Sequence, residues 1–184
     1  KRALWVGTDG GGLLRWQDDR WRTFTTRSGM PNNSIWSLLT VESPSGTMTL
    51  WIGTDGGAGR MQLGRWTSFD TGTGLPTNSI YGLCETTGAD GTRSMWFGTR
   101  GGGLARVRDG VWTVFDTASG LPSNSVFSLF ETPGPDGAKT LWAGTNGAGL
   151  ARFENERWRP VPVPGAEGAT VRRMVPAVAA DGSF

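Results

Sequence analysis

The residues best placed to do chemistry in this sequence are its clustered carboxylates. Asp18-Asp19, Glu154 and Glu156 could supply the acid and the base or nucleophile of a glycoside hydrolase. They fall, however, in predicted hairpin turns among charged neighbours, where a solvated surface is expected. Cys84 is the single cysteine, which excludes an internal disulfide and a Cys-x-x-Cys site. It follows Leu83 at the end of an apolar run and is expected to be a buried, inert thiol. There is no histidine, so a Ser-His-Asp triad, a Cys-His pair and any His-ligated metal are excluded. The Gly runs look like phosphate cradles, but no Gly-Lys-Ser/Thr precedes a helix. No catalytic residue, no metal site and no cofactor are expected.

Recurring polar positions offer binding chemistry instead. Asp9, Asp55, Arg100 and Asn146 each follow a Gly-Thr pair. A position that is polar throughout but varies in charge suits a ligand-binding ring, and it equally suits an exposed turn stabilised by Asx side-chain bonds. Asn33, Asn78 and Asn124 recur ahead of Ser. They are candidates for ligand contact, and also for bonding the backbone as the chain enters a strand. Arg15, Arg60, Arg106 and Arg152 could form an anion-binding ring or stack on a Trp of their own unit. Most Trp residues are expected in packing. Trp16 and Trp36 lie outside the repeated Trp positions and are the best candidates for carbohydrate stacking.

The elements that must position these residues follow from an internal repeat. Trp5, Trp51, Trp96 and Trp142 recur at spacings of 46, 45 and 46 residues, and Trp21, Trp66, Trp112 and Trp158 at 45, 46 and 46. Pro31, Pro76 and Pro122 keep the same interval. Each unit reads as four short strands. The second unit shows them as A (Ser34 to Leu39), B (Leu50 to Thr54), C (Arg60 to Leu63) and D (Trp66 to Phe69). Asp90-Gly91 and Asp136-Gly137 mark tight A–B hairpins, and Asp181-Gly182 takes the same place after the last A strand. Four antiparallel strands at this period predict an all-β fold, a β-propeller of four-stranded blades. The units run approximately 1–32, 33–77, 78–123 and 124–169, with a final innermost strand over 170–180, all within one array spanning 1–184. Adjacent apolar pairs such as Ile35-Trp36, Ile80-Tyr81 and Val126-Phe127 predict that both faces of strand A pack on neighbouring blades. Unit four departs from the rest: Pro160, Pro162 and Pro164 predict an edge or extended strand.

The chain starts in strand B and runs past a last strand A. It therefore holds three whole blades and one split between its ends. Two architectures satisfy this: a closed four-bladed ring, or an arc of a larger propeller. The missing start favours an excerpt or a mature product. Thirty Gly and ten Pro among 184 residues stay below the roughly 25–30% that marks disorder, and ten Trp supply the large faces a folded core needs. The net charge of +2 is spread without a basic block, which argues against a nucleic-acid surface. No run of 18 apolar residues is present, so no membrane-spanning helix is expected in this chain. The B–C and D–A loops share one face and carry the repeated polar motifs. The A–B loops vary and lie opposite.

Leu4-Trp5-Val6-Gly7-Thr8-Asp9-Gly10-Gly11-Gly12-Leu13 and Gly120-Leu121-Pro122-Ser123-Asn124-Ser125-Val126 resemble the two-component regulator propeller repeat. The resemblance covers nearly all of residues 1–164. It implies seven-bladed propellers, often in tandem, that form periplasmic or extracellular sensor regions of bacterial signalling proteins. Some members of that family sense oligosaccharides. The family repeat defines no shared catalytic residues. The resemblance thus implies a non-catalytic sensing or binding region for a saccharide or other small polar ligand. The alternative is a protein-interaction scaffold, with a partner chain or a second copy on exposed blade faces. A propeller enzyme is the third reading, disfavoured by the lack of His and of a convincing acid pair.

Overall fold

The computed structural model describes residues 3–133 and 138–175. Its fifteen strands form four antiparallel sheets. Blade 1 holds β1 (Leu4–Gly7), β2 (Leu13–Gln17) and β3 (Arg20–Phe24). Blade 2 holds β4 (Ile35–Glu42), β5 (Met48–Thr54), β6 (Gly57–Gln62) and β7 (Arg65–Phe69). Blade 3 runs through β8 (Ile80–Thr87), β9 (Arg93–Thr99), β10 (Leu104–Arg108) and β11 (Val111–Phe115). Blade 4 runs through β12 (Val126–Pro133), β13 (Lys139–Thr145), β14 (Leu150–Glu154) and β15 (Arg157–Val161). The all-β propeller architecture read from the repeat is therefore present. Helix among the described residues is confined to two single 3-10 turns, Thr26–Ser28 and Thr117–Ser119. Asp136-Gly137 and Asp181-Gly182 lie outside the described residues.

Three apolar cores sit between successive blades, and each repeats the same logic. Between blades 2 and 3, Trp51, Ala58 and Phe69 meet Ile80, Phe97 and Trp112. Between blades 3 and 4, Trp96 and Phe115 meet Val126, Ala143 and Trp158. Between blades 1 and 2, Leu13 and Phe24 meet Ile35, Ile52 and Trp66. The strand-B Trp thus faces the following blade, and the strand-D Trp faces the preceding one. Some rings meet edge-on, as Trp96 and Trp158 do at 5.9 Å and 87°.

Blade 1 has only three strands, and β1 lacks an inner partner among the described residues. Its backward face is uncovered. Leu4 is 57% exposed where its equivalent Leu50 is 4%, and Trp21 is 55% exposed where Trp158 is 2%. A closed ring would cover both, so the described residues form an arc. The last innermost strand expected over 170–180 is not assigned as a strand within 171–175, and 176–180 lie outside the described residues. Val171 N–H still donates to Thr145 O at 2.9 Å, as Ile35 N–H does to Thr8 O at 2.9 Å. The segment takes the strand-A position, but its ladder would come from a strand B of its own blade, and none pairs with it among the described residues.

Turn chemistry explains the polar C–D loops. Asp18 and Asp19 (φ 52° and 57°), Asp109 and Gly110 (51° and 79°) and Asn155 and Glu156 (48° and 59°) place two successive left-handed residues in two-residue hairpins. Asp, Asn and Gly tolerate that geometry best. The proline-rich end of unit four still completes β15, with Pro160 opposite Ala151. It is an outer edge strand, where proline is tolerated.

Candidate binding site

The innermost strands carry a repeated irregularity. Ile35 pairs with Thr54 and Ser37 with Gly53, which leaves Trp36 as the extra residue of a β-bulge. The same shift falls at Tyr81, between Ile80 and Gly82, and at Phe127, between Val126 and Ser128. A bulge turns one side chain away from the alternation of its strand. Here Ile35, Ile80 and Val126 go into the interblade cores, while the following aromatic residue lines the axis. This corrects the expectation that both members of each pair pack between blades.

The three rings form a row. Trp36 stacks on Tyr81 at 5.2 Å and 13°, and Tyr81 meets Phe127 at 5.2 Å and 41°. Arg172, one repeat beyond Phe127, places its guanidinium 5.5 Å from the Phe127 ring centroid. A cavity of about 550 Å³ runs beside this row, walled also by Gly7, Ser37, Ser128, Arg173 and Met174. Its volume falls within the usual range for small-molecule sites. Ser128 Oγ donates to Val171 O at 3.3 Å, whereas the equivalent Ser37 Oγ is buried in the wall without a partner.

No protein-family model and no curated protein sequence matches the chain. Among solved structures it is similar to the extracellular domain of a hybrid two-component system from B. thetaiotaomicron, with a TM-score of 0.57 at 15% identity. The two share a fold. The match covers 93% of this chain and 29% of that one, so this chain spans less than a third of the structure it matches.

The seven residues expected to bind ligand lie elsewhere, on the face formed by the B–C and D–A loops, and none of them walls the axial cavity. Asn33, Asn78 and Asn124 are engaged within their own loops. Their Oδ1 atoms accept from the N–H groups of Thr26, Thr71 and Thr117, each at 2.9 Å. Their backbone carbonyls accept from Gly12, Gly57 and Gly103 N–H, which ties each B–C loop to the strand-A entry of the next blade. Asp9 Oδ1 accepts from Ser34 Oγ at 2.7 Å, and Asn146 Oδ1 from Thr170 Oγ1 at 2.9 Å. Thr170 thereby takes the place of the repeated Ser. Asp55 and Arg100 are exposed at the same loop position. The Gly-Thr-x-Gly motif is a loop closure: Thr99 Oγ1 donates to Gly103 O at 2.9 Å and accepts from Gly102 N–H at 3.1 Å.

The repeated arginines stack as one of their two readings expected. Arg15, Arg60 and Arg106 lie 5.6, 5.8 and 5.3 Å from the centroids of Trp5, Trp51 and Trp96. Arg152 instead pairs with Glu154 at 2.9 Å. Two of the carboxylates weighed for catalysis are also occupied, Glu156 by Arg106 at 2.7 Å and Glu154 by Arg152 and Arg159. Cys84 lies in the core between blades 3 and 4. Burial, reinforced by the charges of Glu131 and Glu85, pushes its thiol up to about 12. It is not a nucleophile at neutral pH. Among the described residues no group of three or more acidic or Cys side chains could hold a metal ion. No helix among them is long and apolar enough to cross a membrane.

Sequence reasoning found Trp36 and missed Tyr81, Phe127 and Arg172. The available signal was their common interval with Trp36, since all four follow Ile or Val at the start of strand A. Trp16, the other stacking candidate, packs on Trp21 at 5.1 Å on the open face of blade 1.

Proposed function

We propose that this chain is a non-catalytic ligand-binding region of a bacterial signal-transduction protein, on the periplasmic or extracellular side, and that its ligand is a small polar molecule or saccharide. One observation carries the reading: a bulge repeated in three blades withdraws an aromatic side chain from the packing pattern and lines a cavity with it. A bulge gives up ladder regularity, and bulges cluster where a side chain must be re-aimed for function. The fold shared with a two-component extracellular domain supports the signalling context. The paired state of Glu154 and Glu156 supports a binding role over hydrolysis. The test is a screen of neutral and charged oligosaccharides and small polar metabolites, read by Trp fluorescence and calorimetry. Binding that is lost in Trp36→Ala with the fold intact is the expected result. Turnover of any glycan, or no binding across the panel, would overturn it.

A second reading has its own observation. Leu4, Trp16 and Trp21 leave an apolar face on blade 1 where blades 2–4 each receive a preceding blade. The occupant that fits is the forward face of another such blade, carrying a strand-B Trp as Trp142 does here. That makes head-to-tail contact with a second copy the specific form of the scaffold alternative, and sedimentation at rising concentration tests it.

A further inference from the structure

We propose that the axial cavity selects an anionic ligand, a ring-bearing molecule whose carboxylate or sulfate sits on Arg172 and Arg173. This rests on the ligand-binding reading above and specifies its chemistry. Trp36, Tyr81, Phe127 and Arg172 hold one structural position in four successive repeats. The fourth member substitutes a guanidinium for a ring and continues the row by lying 5.5 Å from Phe127. Arg173 follows at the position that is Ser37, Gly82 and Ser128 in the other repeats. The ring of three repeats and the small residue of three repeats thus give way in the fourth, at one end of the cavity, to two adjacent cations.

The cations there are unmatched. Among the described residues five arginines, Arg93, Arg106, Arg108, Arg152 and Arg159, have a carboxylate partner, and the others, Arg172 and Arg173 included, have none. Of these, Arg172 and Arg173 are the ones that wall the cavity, and no carboxylate walls it among the described residues. Trp36 and Tyr81, which also line it, each carry a donor group. The Trp36 indole N–H and the Tyr81 hydroxyl make no hydrogen bond among the described residues. Trp36 and Tyr81 use one face each on the other. Two guanidinium groups, which only donate, beside side chains that carry N–H and O–H donors favour an acceptor-rich anion and disfavour a cation. Arg172, with its guanidinium 5.5 Å from the Phe127 ring centroid, presents its fork to two oxygens of one oxyanion. The length of the row leaves room for a ring beside the bound anion.

The experiment uses three probes in calorimetry with the full chain: a uronic-acid trisaccharide, a neutral trisaccharide of the same linkage, and benzoate. The variants are Arg172→Gln/Arg173→Gln and Arg172→Lys, both at exposed positions, with near-UV circular dichroism confirming the fold. The expected result is that an acidic probe binds, that binding weakens with salt, and that the double variant loses about tenfold or more, the scale of a charge-assisted hydrogen bond. Arg172→Lys should restore part of the loss, since it keeps charge but not the fork. Preference for the trisaccharide over benzoate identifies a saccharide source, and the reverse an aromatic acid. If the neutral trisaccharide binds as tightly as the acidic one and the double variant leaves it unchanged, the anion proposal fails while the ligand-binding reading stands. If no probe binds, the anion proposal fails, and Trp36→Ala against the wider panel decides the reading beneath it.

Discussion

Two glycines in one loop separate conformational strain from steric exclusion. Gly101 and Gly103 both sit at positive φ, +88° and +82°. An added Cβ at Gly101 would meet nothing within 4 Å, whereas at Gly103 it would overlap the carbonyl oxygen of Phe115 at the end of β11. Gly101→Ala therefore carries only the left-handed penalty for an L-residue, about 1–2 kcal/mol. Gly103→Ala carries the same penalty and must also displace the loop from β11. Three bonds are then at risk: Gly103 N–H to Asn124 O at 2.7 Å, and Thr99 N–H and Oγ1–H to Gly103 O at 3.0 and 2.9 Å. At about 1 kcal/mol net each, they bring the expected loss to about 4–5 kcal/mol. That is a large share of a typical domain stability of about 5–15 kcal/mol. Urea denaturation followed by Trp fluorescence measures both variants on one scale. Equal losses for the two, within about 1 kcal/mol, would refute the argument that close approach of the B–C loop to strand D holds the blades in register.

Two further outcomes follow from burial. Trp158→Ala should cost about 3–5 kcal/mol, because its ring fills the core between blades 3 and 4, while Trp21→Ala at the same repeat position should cost under about 1 kcal/mol. A comparable loss at Trp21 in urea denaturation would mean that the blade 1 face is covered in solution. Cys84 should resist disulfide reagents in the native state near pH 8 and react fully in urea. Its thiol ionises near 9 when unfolded and near 12 when folded, so its contribution is complete below pH 9 and is lost as pH rises toward 12. Relative to Cys84→Ala, the native protein should therefore lose about 1.4 kcal/mol per pH unit in that window, and parallel pH profiles would contradict it.

The fold was legible because the features that specify it repeat at one interval. Strand-B and strand-D Trp residues mark opposite faces of each blade, and Gly-Thr-x-Gly marks the loop between B and C. The candidate site was legible only in part, for a physical reason. Ile35-Trp36 in sequence looks like two-faced burial, because adjacent apolar residues on a regular strand point to opposite sheets of a core. The bulge breaks that parity, and nothing in residue type announces a bulge where β-branched and aromatic residues suit both geometries. The Asn and Asp positions stood out because polar residues at fixed intervals in loops suggest binding. Asn33, Asn78 and Asn124 spend their side-chain oxygens on Thr N–H groups, and Asp9 and Asn146 accept from the hydroxyls that precede strand A.

The bulge also divides each innermost strand into a position that holds the fold and a position released from it. Ile35, Ile80, Val126 and Val171 are β-branched in all four repeats, as a stiff side chain between two sheets should be. The next residue is Trp, Tyr, Phe and then Arg; core positions also vary in size, as Ile52, Phe97 and Ala143 do at one buried position, but none of these takes a charge. Packing between blades does not call for a guanidinium, because a buried charge without a partner is costly. A position that takes a charge beside an otherwise repeated one lies outside the interblade cores, in a row whose members touch one another along the axis. In this arc it faces the axis. Chemical identity can therefore be rewritten there, blade by blade, without disturbing the cores that hold the blades together.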